Sequence, residues 1–146
     1  MLGILLDTSF ILPSLGIDTG ERTRIGLRKL YDRGDDVTLW YSRFSLLEAI
    51  WVGKKLERQG KLNRSLFELG LRSLYRGGRY RMIEEEPEIF VDALDLVALG
   101  HRDMIDNLLY SISRIYKLQF LTLDTKLADF IKTRNLEETI MLPDDL

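Results

Sequence analysis

The sequence predicts an α/β domain, a three-layer α/β/α sandwich around a parallel central sheet, and three observations predict it. Short apolar runs alternate along the chain with longer segments of helical period, the order that builds strand–helix–strand units. The runs Gly3-Ile4-Leu5-Leu6 and Gln119-Phe120-Leu121-Thr122-Leu123 are mostly apolar rather than alternating, as in strands covered on both faces. The chain has 146 residues, 45% apolar and 30% charged, which suits a single domain over residues 1–146.

Each element has its own signal. The first strand, 3–6, ends at Asp7-Thr8-Ser9. Residues 21–33 carry Ile25, Leu27 and Leu30 among basic residues and read as a surface helix closed by Gly34. Residues 37–41 suit a pleated strand. A helix follows over 44–58, with Ser42 as a plausible N-cap and Gly60 as its break, and another over 63–75 stops at Gly77-Gly78. A short strand at 80–83 precedes Glu84-Glu85-Glu86, which reads as a solvated loop. Pro87 suits the first turn of a helix to Leu99. The stripe Ile105, Leu108, Leu109, Ile112 and Tyr116 marks a helix over 103–116. A strand at 119–123, a helix at 126–133 and a last strand at 139–142 complete the chain.

Composition narrows the chemistry. There is no cysteine and one histidine, His101, so disulfides, zinc ribbons, iron–sulfur sites, thiol nucleophiles and an H-E-x-x-H zinc site are excluded. His101 reads as a loop or capping residue. Any metal must be held mainly by carboxylate oxygens, which favours Mg²⁺ or Mn²⁺. The formal charge of −2 neither supports nor excludes a nucleic-acid partner. No apolar stretch is long enough to span a bilayer, and Met1 to Leu6 lacks the basic flank of a signal peptide. A cytoplasmic protein is the expectation.

Four acids stand out. Asp7 and Asp124 each follow a strand, and in open parallel sheets ligands bind beyond the carboxyl ends of the strands. If those strands are neighbours, the two acids face one crevice, although aspartate is also a common turn residue. Glu48 is the only charge between Arg43 and Lys54, in a helix apolar on nearly all sides. A helix of that kind should be buried, and its carboxylate needs an arginine or a cation as partner. Asp103 and Asp106 share a helix face. Asp103 reads as the N-cap, whereas Asp106 falls in the first turn and gains from the helix dipole or reaches toward the strand tips. Four carboxylates cannot cluster in ionised form without cations, so the set is either a metal site or not clustered.

In order and spacing, Ile4-Leu5-Leu6-Asp7-Thr8-Ser9, Ser45-Leu46-Leu47-Glu48, Asp106-Asn107-Leu108-Leu109-Tyr110 and Leu121-Thr122-Leu123-Asp124 resemble the PIN domain, found in VapC-type toxins and RNA-processing nucleases. The resemblance covers essentially the whole chain. It implies an endoribonuclease acting on single-stranded RNA, with Asp7, Glu48, Asp106 and Asp124 as catalytic metal ligands for Mg²⁺ or Mn²⁺. It also implies supporting hydroxyls at Thr8, Ser9 and Thr122, an antitoxin protein as partner and a homodimer. Hydrolysis would leave a 5′-phosphate and a 3′-hydroxyl. Two departures stand beside it: Leu108 to Ser113 is bulkier than the family's usual small residues, and the region 61–99 matches no toxin subgroup.

Other readings are weaker. Asp7-Thr8-Ser9 lacks the second aspartate of an aspartyl-phosphate phosphatase. A catalytically silent PIN-like binding or scaffold module would be expected to have lost an acid, and all four are present. Two basic clusters remain. Arg72, Arg76, Arg79 and Arg81 are interleaved with Tyr75 and Tyr80; they either hold phosphate and stack on bases or simply close a helix. Arg22, Arg24, Arg28 and Lys29, downstream of Asp7, are the better candidates to guide a substrate.

Overall fold

The computed structural model describes all 146 residues and has five parallel strands in the order β3-β2-β1-β4-β5. They are β1 (Leu2–Leu6), β2 (Val37–Tyr41), β3 (Tyr80–Met82), β4 (Gln119–Leu121) and β5 (Ile140–Met141). Seven α-helices connect them: α1 (Thr8–Ile11), α2 (Glu21–Asp32), α3 (Arg43–Arg58), α4 (Arg64–Arg76), α5 (Pro87–Ala98), α6 (Met104–Tyr116) and α7 (Thr125–Thr133). This is the α/β/α sandwich expected from the alternation of elements.

The pleat divides the core in two. Ile4, Leu6, Leu39, Tyr41 and Leu121 face one way, onto Phe10, Leu30, Leu46, Ala49, Phe67 and Leu74 from α1 to α4. Leu5 and Phe120 face the other way, onto Ile89, Leu96, Leu109, Ile112, Leu127 and Ile131 from α5 to α7. Successive strand residues alternate between these clusters because side chains alternate across a strand. Helix α6 is the most deeply set, with every residue from Asn107 to Ser113 buried. Its bulky and polar residues are accommodated by gripping the chain before β5. The Tyr110 hydroxyl donates to the Glu137 carbonyl at 2.6 Å, and Ser113 Oγ lies 2.6 Å from Thr139 Oγ1.

Two expectations are corrected, and a segment to which the sequence assigned no element is filled. Residues 8–15 form α1 and a 3-10 turn. That turn carries α4 at backbone contact: a Cβ on Gly70 would lie 2.1 Å from the Ser14 carbonyl oxygen. Helix α3 is not enclosed on all sides, because Leu47, Ile50 and Trp51 are exposed, Trp51 by 64%. Its inner face packs on α1, the sheet and α4, and its first turn meets α5 through Phe44 against Phe90, which leaves the outer face uncovered. Glu85 is not solvated. Its side chain is 4% exposed, Arg43 Nε lies 3.0 Å away and Ser42 Oγ donates to it at 2.9 Å.

Candidate metal centre

The carboxyl end of the sheet is built by neighbouring strands. Because β4 pairs with β1, the Asp7 backbone N–H donates to the Leu121 carbonyl at 3.0 Å, which sets Asp7 beside Thr122. The Asp7 carboxylate is then held from two sides. Oδ1 accepts the Thr8 N–H at 2.7 Å and caps α1, and Oδ2 accepts the Thr122 hydroxyl at 2.7 Å. Thr122 Oγ1 also accepts the Asp124 N–H at 3.1 Å, so one hydroxyl ties together the two acids after β1 and β4. Asp124 caps α7 by accepting the Leu127 N–H at 3.0 Å.

The other two acids come from helices. Asp103 caps α6 through the Asp106 N–H at 3.1 Å, as its place at the helix start implies. Asp106 keeps its own carboxyl free to meet Asp124, within hydrogen-bonding reach. The turn before α6 is fixed by the buried Asn107, whose Nδ2 donates to the His101 carbonyl at 2.7 Å while Oδ1 lies 2.7 Å from His101 Nδ1. His101 therefore serves the loop. Glu48 stands partly exposed on the second turn of α3, near enough for its charge to act on Asp7.

The electrostatics express this crowding. Burial pushes Asp7 up to about 6, aided by the charges of Glu48 and Asp124 and opposed by the bonds from Thr122 and Thr8. Asp106 is pushed up to about 8, first by burial, then by the Asp124 carboxyl, to which its protonated form can hydrogen-bond, and by the charges of Asp103, Asp7 and Asp124. No cationic side chain contributes to either shift. Carboxyls forced together in this way take up protons unless a cation replaces them.

The donor chemistry fits a hard divalent cation: carboxylate oxygens, with the Thr8 hydroxyl beside Asp7 buried and without a partner. As the side chains stand, no three acids converge in metal-ligating geometry. Both oxygens of Asp7 and one of Asp124 are engaged in capping and hydroxyl bonds. Binding a cation therefore requires side-chain movement. Ser9, by contrast, uses its backbone carbonyl to accept from Thr19 at 2.9 Å.

The basic clusters lie elsewhere. Arg22 and Arg24 are paired with Asp144 and Asp18, which weakens them as guides for a substrate. Arg72, Arg76 and Arg79 lie at the end of α4 and before β3, toward the amino ends of the strands. Sequence reasoning missed the Ser42–Arg43–Glu85 contact at the rim. The only available signal was a glutamate run close after a strand, and that pattern does not name a partner.

A family model described as PIN domain matches residues 4–132. No curated protein sequence matches the chain. Among solved structures, it is similar to a sarcin-ricin loop cleaving VapC toxin of Mycobacterium tuberculosis (TM-score 0.64, 15% identity, 86% of this chain and 93% of that one). It is also similar to a VapBC structure from Rickettsia felis bound to a promoter DNA fragment (TM-score 0.63, 14% identity, 97% of this chain and 98% of that one). A toxin–antitoxin complex from Klebsiella pneumoniae has a TM-score of 0.59 at 12% identity, with 98% and 99% coverage. At such identities the likeness is one of fold.

Proposed function

The chain belongs to the PIN domain family, and from that premise we propose that it is a metal-dependent endoribonuclease that hydrolyses single-stranded RNA. The observation that carries this reading is the crowding of Asp7, Glu48, Asp106 and Asp124 at the carboxyl end of the sheet, with two of them driven toward protonation.

In this reading Asp7 and Asp106 are the principal ligands of Mg²⁺ or Mn²⁺, and Glu48 and Asp124 complete the set directly or through water. When bound, such a cation neutralises charge on the scissile phosphate and acidifies water. The chain's own groups do the positioning. Thr122 holds Asp7 and Asp124 at one spacing, and Thr8 has an unengaged hydroxyl to offer beside them. Water adds to phosphorus and the 3′-oxygen leaves with a proton, giving a 5′-phosphate and a 3′-hydroxyl. RNA as substrate places the activity in the cytoplasm.

An antitoxin protein and a homodimer belong to the same reading as partners. Its support is the toxin–antitoxin fold likeness together with exposed apolar residues on two helices, Leu47, Ile50 and Trp51 on α3 and Phe90, Val91 and Leu94 on α5. The second reading, a catalytically silent scaffold, draws on the lack of a ready three-ligand geometry.

Cleavage of single-stranded RNA with Mn²⁺, with chelator, and by Asp7→Asn separates the two. The nuclease reading expects metal-dependent cuts that fall roughly a hundredfold or more in Asp7→Asn. Equal cleavage by the variant, or none by either protein across varied RNAs, supports the scaffold.

A further inference from the structure

We propose that Arg72, Arg76 and Arg79, with Tyr31 and Tyr75, form a second RNA-contact surface that holds the backbone of a single strand outside the acidic crevice. This rests on the nuclease reading and adds where the rest of the substrate lies.

Four arginines and no acid occur between Leu69 and Ile83, in a chain whose acids outnumber its Lys and Arg by 23 to 21. Of the ten arginines outside this segment, Arg22, Arg24, Arg43, Arg64 and Arg114 pair with carboxylates, while the five others are scattered singly along the chain. Arg72, Arg76 and Arg79 are exposed and pair with none. Asp32, at the end of α2, and Asp35 and Asp36, in the turn after it, do not pair with them either.

The surface is also braced. The Arg79 guanidinium lies over the Tyr31 ring at 5.2 Å. The Tyr31 hydroxyl is 2.8 Å from that of Tyr80, which is 3.3 Å from Ser14 Oγ. A guanidinium held over a ring and paired with no carboxylate keeps N–H donors to offer, and arginine suits bidentate phosphate contact. Arg72 and Arg76 are one helical turn apart and share a face with Tyr75, a residue 61% exposed and so accessible to a base. Arg81 is left out, because it lies over Trp40, on the face of the edge strand opposite to Tyr80.

Cations also favour a helix C-terminus without any ligand, so the test must read RNA itself. The surface lies toward the amino ends of the strands and the crevice at their carboxyl ends, so contact with both depends on RNA length. Binding of labelled single-stranded RNAs of about 6 and about 24 nucleotides is measured in chelator at several salt concentrations. Arg76→Ala/Arg79→Ala should bind the long RNA about tenfold more weakly, with a salt slope lower by about 1.4 for two lost phosphate contacts. Affinity for the short RNA, its cleavage with Mn²⁺ and the melting temperature should not change. Arg72→Ala/Arg76→Ala should behave alike, and Lys61→Ala/Lys132→Ala, which removes equal charge elsewhere, should bind like the parent. An equal loss in the lysine variant, an unchanged salt slope, or a loss seen only with duplex DNA overturns the proposal. Absence of cleavage by the parent protein speaks against the nuclease reading, while the binding measurement still decides this one.

Discussion

Two sets of carboxylates sit at the carboxyl end of the sheet in opposite surroundings. Glu85, just after β3, is nearly sealed from water, yet Arg43 and the Ser42 hydroxyl satisfy it. Asp7 and Asp106, by β1 and β4, are also set into the fold but have only neutral donors and other acids around them. Burial alone therefore does not mark a functional acid in this protein. The presence or absence of a cationic side chain does. An acid with its own arginine stabilises the fold, whereas acids gathered without one leave a deficit of positive charge that a metal ion can fill.

Among single substitutions at fixed pH, the largest loss of stability should come from Glu85. Removing it in Glu85→Ala strips the partner from Arg43 and leaves the buried Ser42 hydroxyl without an acceptor. Arg43 is 52% exposed and can rehydrate, so the cost should be about 2 kcal/mol rather than that of a fully buried pair. Urea unfolding measures it, and RNA cleavage by the folded variant should stay near normal. A stable Glu85→Ala that has lost cleavage would move Glu85 into the site and break the comparison.

Next in size is Asp103, which adds charge to the crowd but whose carboxylate is committed to the Asp106 N–H. Asp103→Ala should cost about 1 kcal/mol as a lost cap. Asp103→Ser can still cap and should keep both melting temperature and cleavage. Loss of cleavage at an unchanged melting temperature would make Asp103 a fifth member of the site.

An effect of a different kind, spread over several pH units and not tied to one substitution, is expected without metal. Asp7 and Asp106 titrate near 6 and 8 in the fold, above the ordinary 3.8. Between these values the folded protein binds more protons than the unfolded chain, so stability should fall as pH rises from about 4 to about 8. Asp106→Asn should flatten the upper part of that slope. Thermal melts across this range in chelator check it; a parent protein that grows steadily more stable up to pH 8 contradicts it.

Much of this was legible in the chain. The alternation of apolar runs and helical periods gave the layers, and the acids after β1 and β4 followed from the rule for parallel sheets. The helix at 8–11 escaped because Phe10-Ile11-Leu12-Pro13 is apolar throughout, with a proline that argues against a helix and no polar face to show a period. The exposure of Leu47, Ile50 and Trp51 escaped because periodicity assigns a face and cannot tell whether anything covers it. Glu85 escaped because its arginine comes from another strand's end, a contact that only the β2–β3 pairing creates. The tie from Thr122 to Asp7, across 115 positions, likewise exists only once β4 lies beside β1.

The most direct test of the unpaired acids is the response of the melting temperature to Mn²⁺ in the parent protein and in Asp106→Asn. Without metal the variant should melt at the same temperature or higher, because one source of repulsion is gone. With saturating Mn²⁺ the parent should rise by several degrees, since a ligand that binds only the folded state stabilises it by mass action. The variant should gain clearly less. A variant that melts well below the parent in chelator yet gains the full Mn²⁺ shift would show that Asp106 holds the fold and not the metal.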